Sequence, residues 1–136
     1  MIRRIGRFLN AWLPPLIIMT IIFALSTRQN LSISTEHAVN FSFFKTLHVL
    51  EYGLLTLLFF RALFLTTKLL YEKMIMISIF LTILYSISDE IHQTYVPTRT
   101  GQPRDILIDA IGIFIMGLLI YKNRQAVKNL LSYTTL

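Results

Sequence analysis

Four apolar stretches in a chain of 136 residues leave little room for any fold other than helices in a membrane. They cover about residues 9–25, 46–65, 74–87 and 106–121. A spanning helix needs roughly 17–25 predominantly apolar residues. The third and fourth stretches fall short of that until the polar turns beside them are counted. Residues 88–94 are therefore expected to extend the third helix, and Asp105 to start the fourth. Pro14 and Pro15 near the start of the first stretch suggest a kink or a late helix start, because proline removes a backbone hydrogen bond and crowds the preceding turn.

Composition supports the same reading. Hydrophobic residues make up 54% of the chain and charged residues 15%, against roughly 25% charged in soluble domains. So much apolar surface cannot be hidden in a core of this size and must face lipid. The expected fold class is all-α, an integral membrane bundle of four transmembrane helices forming one domain over residues 1–136. Arg3, Arg4 and Arg7 ahead of the first stretch resemble the start of a signal peptide. No small-x-small cleavage pattern follows and the tandem proline interrupts the apolar run, so a retained helix is expected. There are no cysteines, hence no disulfide framework and no thiolate metal site.

The net charge of +6 would suggest nucleic acid in a soluble protein. Here the basic residues sit at the ends of apolar segments and no aromatic-basic motif accompanies them, so no nucleic-acid partner is expected. Their distribution predicts topology. With four crossings, nine of the thirteen lysines and arginines fall on the side of the N-terminus. That asymmetry makes both termini cytoplasmic. Six of the seven acids then fall on the outer side, leaving Glu72 inside. The stretch 27–44 reads as a long outer loop whose Phe41, Phe43 and Phe44 belong to an interfacial belt. The stretch 95–104, with Pro97, Gly101 and Pro103, reads as an irregular loop.

The acids at the outer ends of the helices carry the functional signal, because ionisable groups at membrane depth are costly and usually functional. On the second segment Lys45, His48 and Tyr52 share a face, with Glu51 a short way around the cylinder. The third segment ends in Asp89, Glu90, His92 and Gln93. Asp89 and Gln93 are one turn apart, His92 lies near their face, and Glu90 points elsewhere. Ser86 and Ser88 can hydrogen-bond within that helix or to a neighbour. The fourth segment opens with Asp105, then Asp109 one turn deeper, then Gly112, whose missing side chain lets a neighbouring helix come close. An N-terminal cap explains Asp105 but not Asp109.

Three chemistries fit this set. Carboxylates with histidine admit a divalent cation. His48 or His92 beside a carboxylate can act as an acid–base pair. Lys45, Arg99 and Arg104 can hold an anionic group of a ligand. The competing reading is architectural, with charges that pair to orient helices. A transporter or ion pathway ranks below both, because no polar stripe is evident running down to the other ends of the helices.

The runs K45-T-L-H48-x-x-E51-Y52-G53-x-L55 with R61-A62, and S88-D89-E90-I-H92-Q93 followed by P97, R99, D105, D109 and G112, resemble the two signatures of VanZ-like membrane proteins. Ser26 and Thr27 resemble that family's serine-rich turn, and the resemblance spans about residues 26–117. Phe44 stands where the family commonly has Asp, and Asp109 where it often has Asn. The resemblance implies an accessory protein of the bacterial cytoplasmic membrane that lowers sensitivity to glycopeptides such as teicoplanin. On this reading the functional face is extracytoplasmic. The ligand is an amphiphilic envelope molecule: a membrane lipid, a lipid-linked wall precursor or a lipoglycopeptide. His48, Glu51, Asp89, Glu90 and Asp109 would carry the chemistry. Lys45, Tyr52, His92, Gln93, Arg99, Arg104 and Asp105 would bind the ligand.

Overall fold

A computed structural model describes residues 2–28, 37–97 and 101–133. The described residues form five helices: α1 (Ile2–Ser26), α2 (His37–Thr66), α3 (Tyr71–Gln93), α4 (Pro103–Lys122) and α5 (Arg124–Tyr133). No strand occurs among the described residues. The first four run alternately up and down. The end of α1 meets the end of α3 through Ser26 and Asp89. The start of α2 meets the start of α4 through His48 and Asp109. At the opposite end, Arg61 of α2 donates to the backbone oxygen of Asn10 in α1, and Tyr71 of α3 donates to that of Ile120 in α4.

Among the described residues, three helices are long and apolar enough to cross a membrane, over Ile5–Ser26, Ser42–Thr66 and Tyr71–Gln93. The expected fourth span falls short on composition rather than length. α4 has 20 residues, but Arg104, Asp105 and Asp109 crowd its first two turns. The other boundary expectations fare unevenly. α3 does continue through the polar turn to Gln93, and Pro103 opens α4, where its missing N–H costs nothing. α1 runs as one helix through Pro14 and Pro15. α2 starts at His37, within the stretch expected to be loop, and α5 lies where no helix was expected.

Burial is inverted relative to a soluble domain. Leu50, Met76, Phe80, Leu107 and Phe114 are exposed, while Thr56, Ser78, Thr82, Ser86, Asp89 and Asp109 are buried. Apolar outside and polar inside is what a lipid solvent selects. Two apolar clusters fill the rest of the interior. Tyr52, Leu55, Phe59, Ile22 and Ile113 pack toward the Asp89 end. Phe60, Leu63, Tyr71, Met74, Ile75, Ile120 and Leu131 pack toward the other. Buried hydroxyls continue between α2 and α3 at Thr56, Thr82 and Ser78 but do not reach the far end, which the apolar cluster around Phe60 and Tyr71 fills. Each hydroxyl donates to a carbonyl within its own helix, so each is satisfied locally.

The closest helix contact is α2 on α4. A Cβ added to Gly112 would stand 2.0 Å from the backbone oxygen of Val49. Gly53 faces the backbone oxygen of Gly112 from the other side, at 3.3 Å from an added Cβ. This pair of glycines lets two backbones touch, as small residues do between membrane helices. It brings His48 and Lys45 within reach of the start of α4. Gly101 performs a similar task in the α3–α4 turn, where an added Cβ would meet the Glu90 oxygen and the Thr94 methyl at 2.5 Å.

Candidate functional site

The acids flagged in the sequence gather at one end of the bundle, where α1 and α3 end and α2 and α4 begin. They form two buried networks rather than one. In the first, Oδ2 of Asp89 accepts three hydrogen bonds: from Ser26 Oγ at 2.9 Å, Tyr52 Oη at 3.1 Å and Gln93 Nε2 at 3.0 Å. Three donors on one oxygen join α1, α2 and α3. The other oxygen, Oδ1, is buried with no hydrogen bond among the described residues.

The second network centres on Asp109. Ser86 Oγ donates to its Oδ2 at 2.7 Å. His48 Nδ1 lies 3.3 Å from its Oδ1, within ion-pair distance, and neither of these two atoms has a formed hydrogen bond. One turn nearer the mouth, Lys45 Nζ pairs with Asp105 Oδ2 at 2.6 Å. Lys45 and His48 on α2 thus meet Asp105 and Asp109 on α4 in register, three residues against four, on the close-packed glycine seam.

Glu51 completes the arrangement from a half-buried position on α2. It accepts no hydrogen bond from a described residue. With His48 and Ser26 it lines a cavity of about 50 Å³ whose other walls include Ile22, Leu25 and Leu47. Its wall is mostly apolar, with Ser26, His48 and Glu51 as the polar groups, and a space of that size with such partners can hold water or a small polar group. His48 therefore has two neighbours of different kinds, a buried carboxylate behind it and a cavity beside it.

The remaining expected residues divide. Glu90 points elsewhere than the Asp89–Gln93 face, as the spacing implied, but not to solvent. It is buried, and the backbone N–H of Gln102 donates to it, so it holds the turn before α4. His92 packs on α1, with its ring 4.3 Å from that of Phe23 and its Nε2 3.2 Å from Thr27 Oγ1. Arg104 is exposed, with Nε 3.7 Å from Asp105. Arg99 lies outside the described residues. No three His, Asp or Glu side chains among the described residues converge as metal ligands, so the divalent-cation expectation gains no geometric support.

Ser86, read from the sequence as able to hydrogen-bond within its helix or to a neighbour, does so across to Asp109 of α4. Ser26 joins the site although the sequence reading gave it no role there; its only signal was the serine turn of the family pattern. The sequence matches VanZ/LLP1 over residues 5–128. The chain belongs to the VanZ/LLP1 family. No curated protein and no solved structure matches it. Apart from Arg99, the signature residues of this VanZ-like chain are all described, and the polar ones other than Arg61 gather at one end of the bundle. Its apolar helices make it a membrane protein linked by family to VanZ-type resistance.

Proposed function

We propose that this VanZ-like protein crosses the bacterial cytoplasmic membrane four times with both termini inside, and that its acidic end faces outward. There it binds an amphiphilic envelope molecule and lowers sensitivity to glycopeptide or lipopeptide antibiotics such as teicoplanin. The observation that carries this reading is the cavity shared by Ser26, His48 and Glu51. A half-buried carboxylate with no described donor beside a histidine is poorly explained by helix orientation alone. The second network supports a polar role for His48. With Nδ1 near Asp109, its ring is set to exchange a proton with a polar group in the cavity.

A second reading, a non-catalytic scaffold that binds a lipopeptide or a partner protein, has its own support. Asp89 takes donors from three helices on one oxygen, which is what a structural hub requires. The two readings assign different residues. Asp89 serves architecture, while His48 and Glu51 serve the ligand.

The test is teicoplanin sensitivity of cells carrying His48→Ala or Glu51→Gln, beside membrane abundance and melting in detergent. Loss of protection at normal abundance and melting supports the ligand site. Retained protection in both variants removes it and leaves the scaffold.

A further inference from the structure

The polar cavity does not stand alone on its seam. α1 and α2 run antiparallel. One turn from Ile22 and three residues from Glu51, the same seam opens into a second, larger space. This groove of about 380 Å³ is lined by Leu13, Pro14, Ile17, Ile18, Leu54 and Leu58. Its far end reaches Asn10, whose backbone oxygen is held by Arg61. From Ser26 back to Leu13 the seam measures about 20 Å at the rise of an α-helix. Leu13, Ile17 and Leu54 are exposed, so the groove is open toward the lipid side.

Polar head space and apolar tail space in line have the shape of an amphiphile. The charge of the head space narrows the class. Glu51 lines it without a described donor, Asp89 lies behind it with a buried oxygen lacking a hydrogen bond, and Asp109 already has His48 at ion-pair distance. The nearby cations are already engaged: Lys45 with Asp105 at 2.6 Å, and Arg28, two residues beyond Ser26, with a partner of its own. An anionic head would meet carboxylates here, whereas an ammonium head would supply the missing donors.

We propose that the α1–α2 seam is a binding groove for a membrane amphiphile with one hydrocarbon chain and a primary ammonium head, the ammonium resting on Glu51 beside His48 and the chain lying along Ile18, Leu54 and Leu58. This deepens the envelope-ligand reading and rests on it for biological meaning, but the binding is measurable without any antibiotic. It replaces the expectation that Lys45, Arg99 and Arg104 grip an anionic group.

The chain has one tryptophan, Trp12, next to Leu13 at the tail end of the groove. Purified full-length protein in zwitterionic nanodiscs should show saturable quenching of Trp12 by hexadecylamine brominated at its tail. The matching alcohol and alkyl phosphate should bind about tenfold or more weakly, the worth of one charge-assisted hydrogen bond. Glu51→Gln should weaken the amine by a similar factor and leave the alcohol unchanged. Equal binding of phosphate and amine by the wild type, or full amine affinity in Glu51→Gln, overturns the proposal. If that variant fails to accumulate, Leu54→Phe decides. Filling the groove should reduce quenching by the brominated amine, and undiminished quenching overturns the proposal as well. Amine binding without any effect on antibiotic sensitivity would retire the envelope role and keep the groove. Protection without amine binding would do the reverse.

Discussion

Three donors converge on a single oxygen of Asp89, and that asymmetry governs what substitutions there can do. Removing one donor leaves the carboxylate with two. Tyr52→Phe is therefore expected to cost only about 1 kcal/mol, the net worth of an ordinary hydrogen bond. Removing the acceptor is different. Asp89→Leu leaves Ser26, Tyr52 and Gln93 buried with nothing to donate to, and the cost should rise to about 3–5 kcal/mol, as for one partner of a buried polar pair. Melting of the purified protein in detergent measures both. Equal losses for the two variants would mean that Asp89 is not the hub. The residue scale is also where the sequence was most readable and most misleading. Asp89 and Gln93 share a face because they are four apart in a helix, and the hydrogen bond between them follows from spacing alone. The burial of Glu90 does not. Its partner is a backbone N–H twelve residues away, in a turn whose path is set by Gly101. Ser26 was silent for the same reason, and Ser86 was legible only as a serine able to bond a neighbour: a serine does not name its acid until packing brings one to it.

Among the elements, the α2–α4 seam is the most exacting. Gly112→Ala would drive a methyl to within 2.0 Å of the Val49 oxygen, a backbone atom that cannot swing aside. The helices must separate, at an expected cost of about 1–3 kcal/mol. That separation also pulls His48 from Asp109 and Lys45 from Asp105. Gly6→Ala is the control, since nothing lies within 4 Å of an added Cβ there. If Gly112→Ala melts like Gly6→Ala, the close contact does not hold the pair together. The apolar stretches made α1 to α4 legible, because runs of that length have few alternatives. The early start of α2 was hidden by the mixed sequence of residues 37–44, which lacks an apolar run. α5 was hidden because it is short and polar. It is held instead by tertiary contacts: Arg124 pairs with Glu72 at 2.9 Å and lies over the Tyr71 ring, and Leu131 enters the core.

For the whole molecule the open matter is how many times the chain crosses. Three helices suffice by composition, and α4 falls short because of the acids at its start. Those acids do not stand against lipid. Asp105 and Asp109 are buried and paired with α2, so the composition of α4 in isolation understates how apolar its outer face is. Four crossings put nine of the thirteen basic residues on one side, the imbalance that fixes orientation. The absence of native cysteine makes the measurement clean. Single cysteines at Ser34 and Gln102 should react with an impermeant maleimide from outside, and one at Asn129 only after the membrane is opened. Labelling of Asn129 from outside would leave three crossings.

The pairing of α2 with α4 also bears on how such a chain is made. α1 is apolar enough to enter the bilayer as it emerges from the ribosome, before any partner exists. α4 is not, for an aspartate at membrane depth costs about 2.5–3.5 kcal/mol at the insertion machinery. Its two acids find their partners, Lys45 and His48, on a helix synthesised earlier. On the four-span reading, α2 acts as an intramolecular chaperone. The last helix is admitted to the membrane only when the second is already there to receive it, and the order of synthesis becomes part of what the sequence specifies.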